Sequence, residues 1–262
     1  CSTFHREILT LSEDGDAEPL LRTKAMLCLR TFSRMAPDLV PSEEILSHTL
    51  PLINNTYHIG RTLATLGLLK QLALRDPAPF AVCLPVLSSL LEDIVVNRNI
   101  LPAYYYHDIP CPTMVVSILQ FLQMYPMPPS EDARRRLSHA LQTLLDECDP
   151  NVTFELKPNP YKTNARNALL FEATNLVTHY GDGLDRQIMA TAVKHLGPLV
   201  AAECANTQGL ALATISRLAL AAQRDANLLI LTQVRAYQPL LRATLQSPDA
   251  FIRKKALDLM FA

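Results

Sequence analysis

Apolar residues return along this chain at steps of three and four. In HIGRTLATLGLLKQLALRD the positions Ile59, Leu63, Leu66, Leu69 and Ala73 fall on one face of a helix. Ala133, Leu137, Ala140, Leu141, Leu144 and Leu145 do the same, as do Ile230, Val234, Tyr237, Leu241 and Leu245. Helix starts are marked chemically. Asp76-Pro77 and Ser247-Pro248 each set a capping side chain before a proline, whose missing N–H costs nothing in a first turn. Ser42 and Ser130 are followed by acids, which suit the positive end of the helix dipole.

The pattern predicts helices over 19–35, 42–53, 58–75, 77–97, 112–125, 131–148, 163–180, 184–203, 206–223, 225–246 and 248–262, with a shorter one over 4–11. Two proline-bearing gaps, 98–111 and 149–162, are expected to be loops. No strand is expected.

One pattern recurs at the helix starts. Arg-x-x-Ala-x-x followed by a small or apolar residue is found at Arg22/Ala25/Cys28, Arg61/Ala64/Gly67 and Arg253/Ala256/Leu259, with a degenerate copy at Gln208/Ala211/Thr214. Arg22 and Arg61 are 39 positions apart, and Gln208 and Arg253 are 45 apart. A period of about 40–47 residues with two helices per unit is the signature of HEAT or armadillo repeats. The expected fold is all-α: a HEAT/armadillo-like α-solenoid of eleven or twelve helices in antiparallel pairs. The small residue lets neighbouring helices approach, and the arginine is expected to reach a carboxylate or carbonyl of the next repeat. A helix pair cannot bury its own apolar face, so such units stack. The expected organisation is a single solenoid segment over 1–262. The last helix ends on Met260-Phe261-Ala262 without a polar closing helix, which suggests a segment of a longer protein.

Composition agrees. Apolar residues make up 49% and charged residues 19%, with only seven glycines against nineteen prolines. Glycine-rich turns of parallel α/β folds are missing, and no uninterrupted apolar run approaches the roughly 20 residues of a spanning helix. Twenty-four basic residues balance twenty-five acidic ones, which gives no support to nucleic-acid binding. The six cysteines are far apart, without a CxxC, and fit a reduced compartment.

Three stretches resemble the trunk of large adaptin chains, most closely the alpha-adaptins of the plasma-membrane clathrin adaptor and less closely the gamma and delta types. They are TKAMLCLRTFSRMAPDLVP (23–41), PCPTMVVSILQFLQMYPMPPSEDARRRLSHALQTLLDE (110–147) and NARNALLFEATNLVTHY (164–180), the last followed by the terminal VRAYQPLLRATLQSPDAFIRKKALDLMFA. Tyr125-Pro126 and the proline-rich turn after it are the most distinctive part. Gln208, where a repeat arginine is expected, and residues 98–109 and 149–162 depart from the family pattern. The resemblance implies a non-catalytic scaffold without cofactor. It implies assembly with small sigma, medium mu and large beta adaptor chains, and a cytoplasmic location peripheral to plasma-membrane coated pits. It also implies a role in clathrin-mediated endocytosis and vesicle transport. The alternative is a HEAT-repeat scaffold of another adaptor or coat complex, of nuclear transport or of a phosphatase.

No catalytic or metal motif stands out. Seven histidines show no HExxH and no pairing with cysteine. His179 near Asp182 is the only close His/acid pair of interest, and Gly181-Asp182-Gly183 is expected to be a turn. Candidate interface residues are the amphipathic cluster Tyr104, Tyr105 and Tyr106, the basic run Arg134, Arg135 and Arg136, and the basic group Lys157, Lys162 and Arg166. Each of these also fits a plainer role, the tyrosines sealing an edge and the basic groups forming a solvated helix face.

Overall fold

The computed structural model describes residues 4–150 and 159–262. Among these it holds thirteen α-helices and one two-stranded hairpin. The chain divides into two compact units, 1–137 and 138–262, and the boundary falls inside α7 (Glu131–Glu147).

In the first unit α2 (Pro19–Met35), α4 (Ile59–Ala73) and α6 (Pro112–Leu122) pack in sequence as one row. Against them lie α1 (Phe4–Glu13) on α2, α3 (Ser42–Thr49) on α4, and α5 (Cys83–Val95) on α6. The second unit repeats the plan. Its row is α8 (Pro160–Tyr180), α10 (Ala205–Arg224) and α13 (Ala250–Phe261). Here α9 (Arg186–Leu196) packs on α8, α11 (Leu228–Arg235) on α9 and α10, and α12 (Gln238–Thr244) on α13. Each unit is thus a stack of helix pairs, the solenoid architecture of HEAT and armadillo repeats.

The recurring alanines lie on the row helices: Ala25, Ala64, Ala211 and Ala256 are all buried, on α2, α4, α10 and α13 respectively. Around them Met26 and Leu29 of α2, Leu66 and Leu69 of α4, and Phe121 of α6 form the first core. Leu170, Ala173, Ile215, Leu218 and Ile252 form the second. A leucine buried this fully contributes about 1.5–3 kcal/mol. Row helices also approach through glycine. A Cβ at Gly67 would stand 3.0 Å from Nη1 of Arg30 on α2, and one at Gly209 would stand 2.5 Å from the Phe251 ring on α13.

Prolines redraw several expected helices. The predicted helix 77–97 is a 3-10 segment, Ala78–Val82, followed by α5, because Pro79 and Pro85 supply no N–H to continue an α ladder. The predicted 225–246 breaks into α11 and α12, since Pro239 cannot bond the carbonyl four residues back. Pro198 likewise turns the end of 184–203 into the 3-10 segment Gly197–Ala201, and Pro51 ends α3 in Leu50–Leu52. The total of thirteen therefore exceeds the expected eleven or twelve.

Capping follows the same physics with different residues. Ser130 Oγ accepts from Ala133 N–H at 3.4 Å, as expected. Asp249, not Ser247, caps α13, accepting from Phe251 N–H at 2.8 Å. Asn159, Asp185 and Asn227 cap α8, α9 and α11. The stretch Ala78–Val95 is by length and composition apolar enough to span a membrane. In the fold its Phe80, Leu87, Leu90, Leu91 and Ile94 are core residues with no exposure.

Candidate functional site

The segment between α5 and α6 holds the first group of candidates. It is not free of strands: Tyr105–Tyr106 pairs antiparallel with Ile109–Pro110, Tyr105 opposite Pro110 and Tyr106 opposite Ile109. The two turn residues, His107 and Asp108, have φ of 48° and 66°. That is the backbone of the tight hairpin turn that Asn-Gly normally supplies. Arg98 and Cys111, at φ 54° and 34°, add two more left-handed residues to the same segment. Non-glycine residues held there cost about 1–3 kcal/mol each and concentrate at functional sites. The turn presents Tyr106, 43% exposed, edge-on to the His107 ring at 4.6 Å. Tyr104 faces the other way, its Oη donating to the Tyr57 carbonyl at 3.2 Å.

Tyr104 thereby walls a cavity of about 260 Å³ at the first turns of α2 and α4. Arg22 and Arg61 both line it, with Thr23, His58 and Gly60. The two arginines are the equivalent residues of successive repeats. Among the described residues neither has an ion-pair or hydrogen-bond partner, and the Nε of each is buried and unpaired. Burial first, and then the positive charge of Arg22, push the Arg61 guanidinium below its ordinary pKa. Arg253, the third copy, donates instead to the Ser247 and Pro248 carbonyls at 2.7 and 2.9 Å, within its own repeat. The expected reach of the arginine into the next repeat is thus replaced by a local cap on α13 and an open pair on α2 and α4.

The run Arg134–Arg136 lies near the start of α7. Arg135 donates to Asp132 Oδ1 at 2.6 Å and Arg136 to Asp132 Oδ2 at 2.8 Å. Those two guanidiniums, Arg135 foremost, hold the Asp132 carboxyl below its usual pKa. Arg136 also reaches Glu92 and Ser89 of α5, each at 3.3 Å. Arg134 is exposed and carries no ion pair among the described residues. Lys162 and Arg166 are half-buried on α8. Lys157 lies outside the described residues. The tyrosines and the arginine run belong to the first unit, Lys162 and Arg166 to the second.

Sequence reasoning missed the histidines that matter structurally. His195 is 3% exposed, and its Nε2 lies 3.4 Å from Asp149 Oδ2. Burial lowers the imidazole pKa, and Asp149 offsets part of that shift. Among the described residues the polar pocket beside it, with Asp146, Thr191, Lys194 and Gln233, is lined by no serine or cysteine, and the Thr191 hydroxyl donates to the Gln187 carbonyl. His5 meets Glu44 at 3.3 Å, and His48 meets Glu13 at 2.6 Å. Gly181–Gly183 is the expected turn, a 3-10 segment closing α8. Among the described residues no three His, Cys, Asp or Glu side chains form a metal site, and the five described cysteines are free.

A stack of helix pairs in each unit, with one short hairpin, defines a helical-repeat protein. Over 97% of its length and 98% of the other chain it superposes on a designed armadillo repeat protein with a TM-score of 0.59, at 14% identity. The family model described as the Adaptin N terminal region matches residues 1–262, and the chain belongs to that family.

Four of its relatives are AP-2 alpha subunits. The chain is 27% identical over 255 residues to AP-2 complex subunit alpha-1 of Arabidopsis thaliana, covering 97% of this chain and 24% of that one. To AP-2 complex subunit alpha of Schizosaccharomyces pombe it is 24% identical over 261 residues, covering 100% and 28%. It is an alpha-adaptin-like large-chain segment, spanning about a quarter of the length of the relatives it matches.

Proposed function

We propose that the chain is a non-catalytic scaffold segment of a clathrin adaptor large chain. It holds small sigma, medium mu and large beta adaptor chains together in endocytosis and vesicle transport, in the cytoplasm at plasma-membrane coated pits. Its membrane association is peripheral and comes through the assembled complex. The observation that carries this reading is the family match along the whole chain, with relatives named as AP-2 alpha subunits.

The surface supports it. Leu20, Leu27 and Met35 on α2 are 57%, 45% and 77% exposed, and Leu228 on α11 is 75% exposed. Large apolar side chains left in water in this number favour coverage by another chain. We assign Tyr104–Tyr106, Arg134–Arg136, Lys157, Lys162 and Arg166 as contact candidates for those chains.

Co-expression with a sigma chain tests the reading. A stable complex that survives gel filtration is expected, with hydrogen-exchange protection on exposed row helices. A monodisperse chain that ignores sigma, mu and beta alike would overturn it.

A further inference from the structure

The cavity between α2 and α4 is a place where the fold leaves positive charge unanswered. Several other arginines find partners: Arg6 with Glu44, Arg136 with Asp132 and Glu92, Arg224 with Asp225. Here two successive repeats each bring one guanidinium to a common cavity, and none of its lining residues is an aspartate or glutamate. Both guanidiniums stay charged at any physiological pH.

Two further observations point the same way. α2 and α4 are seventeen and fifteen residues long, and both begin at this cavity without a side-chain cap. The first-turn N–H groups of α4 and the positive dipole ends of both helices therefore add to the same field. That end of α4 is open: even a Cβ at Gly60 would meet only Thr23, at 3.8 Å. His58, immediately before α4, also lines the cavity.

We propose that this cavity binds a phosphate group, its oxygens held by the forks of Arg22 and Arg61 and by the first-turn N–H groups of α4. A guanidinium fork matches carboxylate and phosphate equally in shape. Charge separates them. Two guanidiniums and two helix ends are matched by a phosphate dianion, whereas a single carboxylate leaves a positive charge over. The volume of about 260 Å³ suits one phosphate and its ester linkage rather than a large ligand. The phosphate is either a small free ester or the headgroup of a phosphomonoester lipid. The proposal is independent of the adaptor reading.

Thermal unfolding of the intact chain in inorganic phosphate, against chloride at matched ionic strength, tests it. Phosphate is expected to raise the Tm saturably, and Arg22→Gln and Arg61→Gln to abolish the rise. Lys24→Gln, on the exposed side of α2, keeps it. Without phosphate, Arg61→Gln is expected to melt no lower than the parent, since it removes one of two like charges. Arg61→Lys keeps charge but loses the fork, and weakens phosphate at least about tenfold.

Broadening of the phosphorus-31 resonance of phosphate by the unmodified chain gives a readout that needs no variant. Co-sedimentation with phosphatidylcholine vesicles, with and without phosphatidic acid, separates the sources. Recruitment that free phosphate reverses assigns the lipid, and phosphate binding without recruitment assigns the free ester. No phosphate-specific shift or broadening, or an equal shift in Arg22→Gln and Arg61→Gln, overturns the proposal.

Discussion

The ring of Tyr237 lies so close over Gly197 that any Cβ at position 197 would overlap it. The Tyr237 hydroxyl donates to the Val193 carbonyl at 3.3 Å, which fixes the ring against the end of α9. Gly197 itself has ordinary helical angles, φ −52° and ψ −52°. The glycine is thus required by contact and not by conformation. Gly197→Ala is expected to destabilise the chain by about 1–3 kcal/mol despite alanine's better helix propensity. In a Tyr237→Ala background the same substitution should be nearly neutral, a coupling that urea denaturation of the four proteins measures.

Tyr125 joins α6 to the segment before α5. Its ring stacks on Phe121 at 5.3 Å, and its Oη donates to the Pro77 carbonyl at 3.0 Å. Burial, foremost, pushes its pKa up to about 12. Tyr125→Phe keeps the stacking and should cost about 1 kcal/mol. The folded chain holds this proton longer than the unfolded one. The stability it gives is complete below the ordinary tyrosine value of about 10 and is lost as pH rises from there towards about 12. Denaturation at pH 9 and 11 should show a drop that the phenylalanine variant lessens.

His195 works in the opposite direction. Its imidazole is held below the ordinary value of about 6.5 by burial, so the unfolded chain takes up the proton first as pH falls. Its contribution is complete above about 6.5 and declines as pH drops towards the folded value. His195→Gln should flatten the acid limb of stability against pH between 7.5 and 5. An unchanged limb would show that this ring does not control it.

Thiol reactivity should sort by surroundings. Cys83 and Cys148 are pushed up to about 12 by burial, and Cys111 is raised by the same cause. Cys204, exposed before α10, is lowered by hydrogen bonds from Thr207, backbone and side chain, and from Asn206. Peptide mapping after brief alkylation of the native chain should find Cys204 modified ahead of Cys28, and Cys83, Cys111 and Cys148 untouched until the chain unfolds.

Much of the fold was legible in the sequence. The span 19–35 is α2 residue for residue, because its apolar spacing and its proline at the first position agree. The splits at Pro79, Pro198 and Pro239 were harder to read, since the apolar spacing continues across them and hides them. The hairpin at 105–110 was not legible: two residues per strand are too few to alternate, and His107-Asp108 is not a usual turn pair.

The side-chain pairs were missed for another reason. Each spans about one repeat: 39 positions for His5 and Glu44, 44 for Arg136 and Glu92, 48 for Tyr125 and Pro77. A search one period along the chain would have found them, whereas a search among sequence neighbours selects His179 and Asp182. The Arg22–Arg61 cavity follows the same period, 39 positions apart.

Because every row helix leans on the next one along its row within its unit, contacts in each unit join segments that leave the ribosome in close succession. Such local wiring favours rapid assembly and spares a growing chain from waiting for distant partners. Synthesis can then proceed module by module, with each new pair docking onto a finished platform.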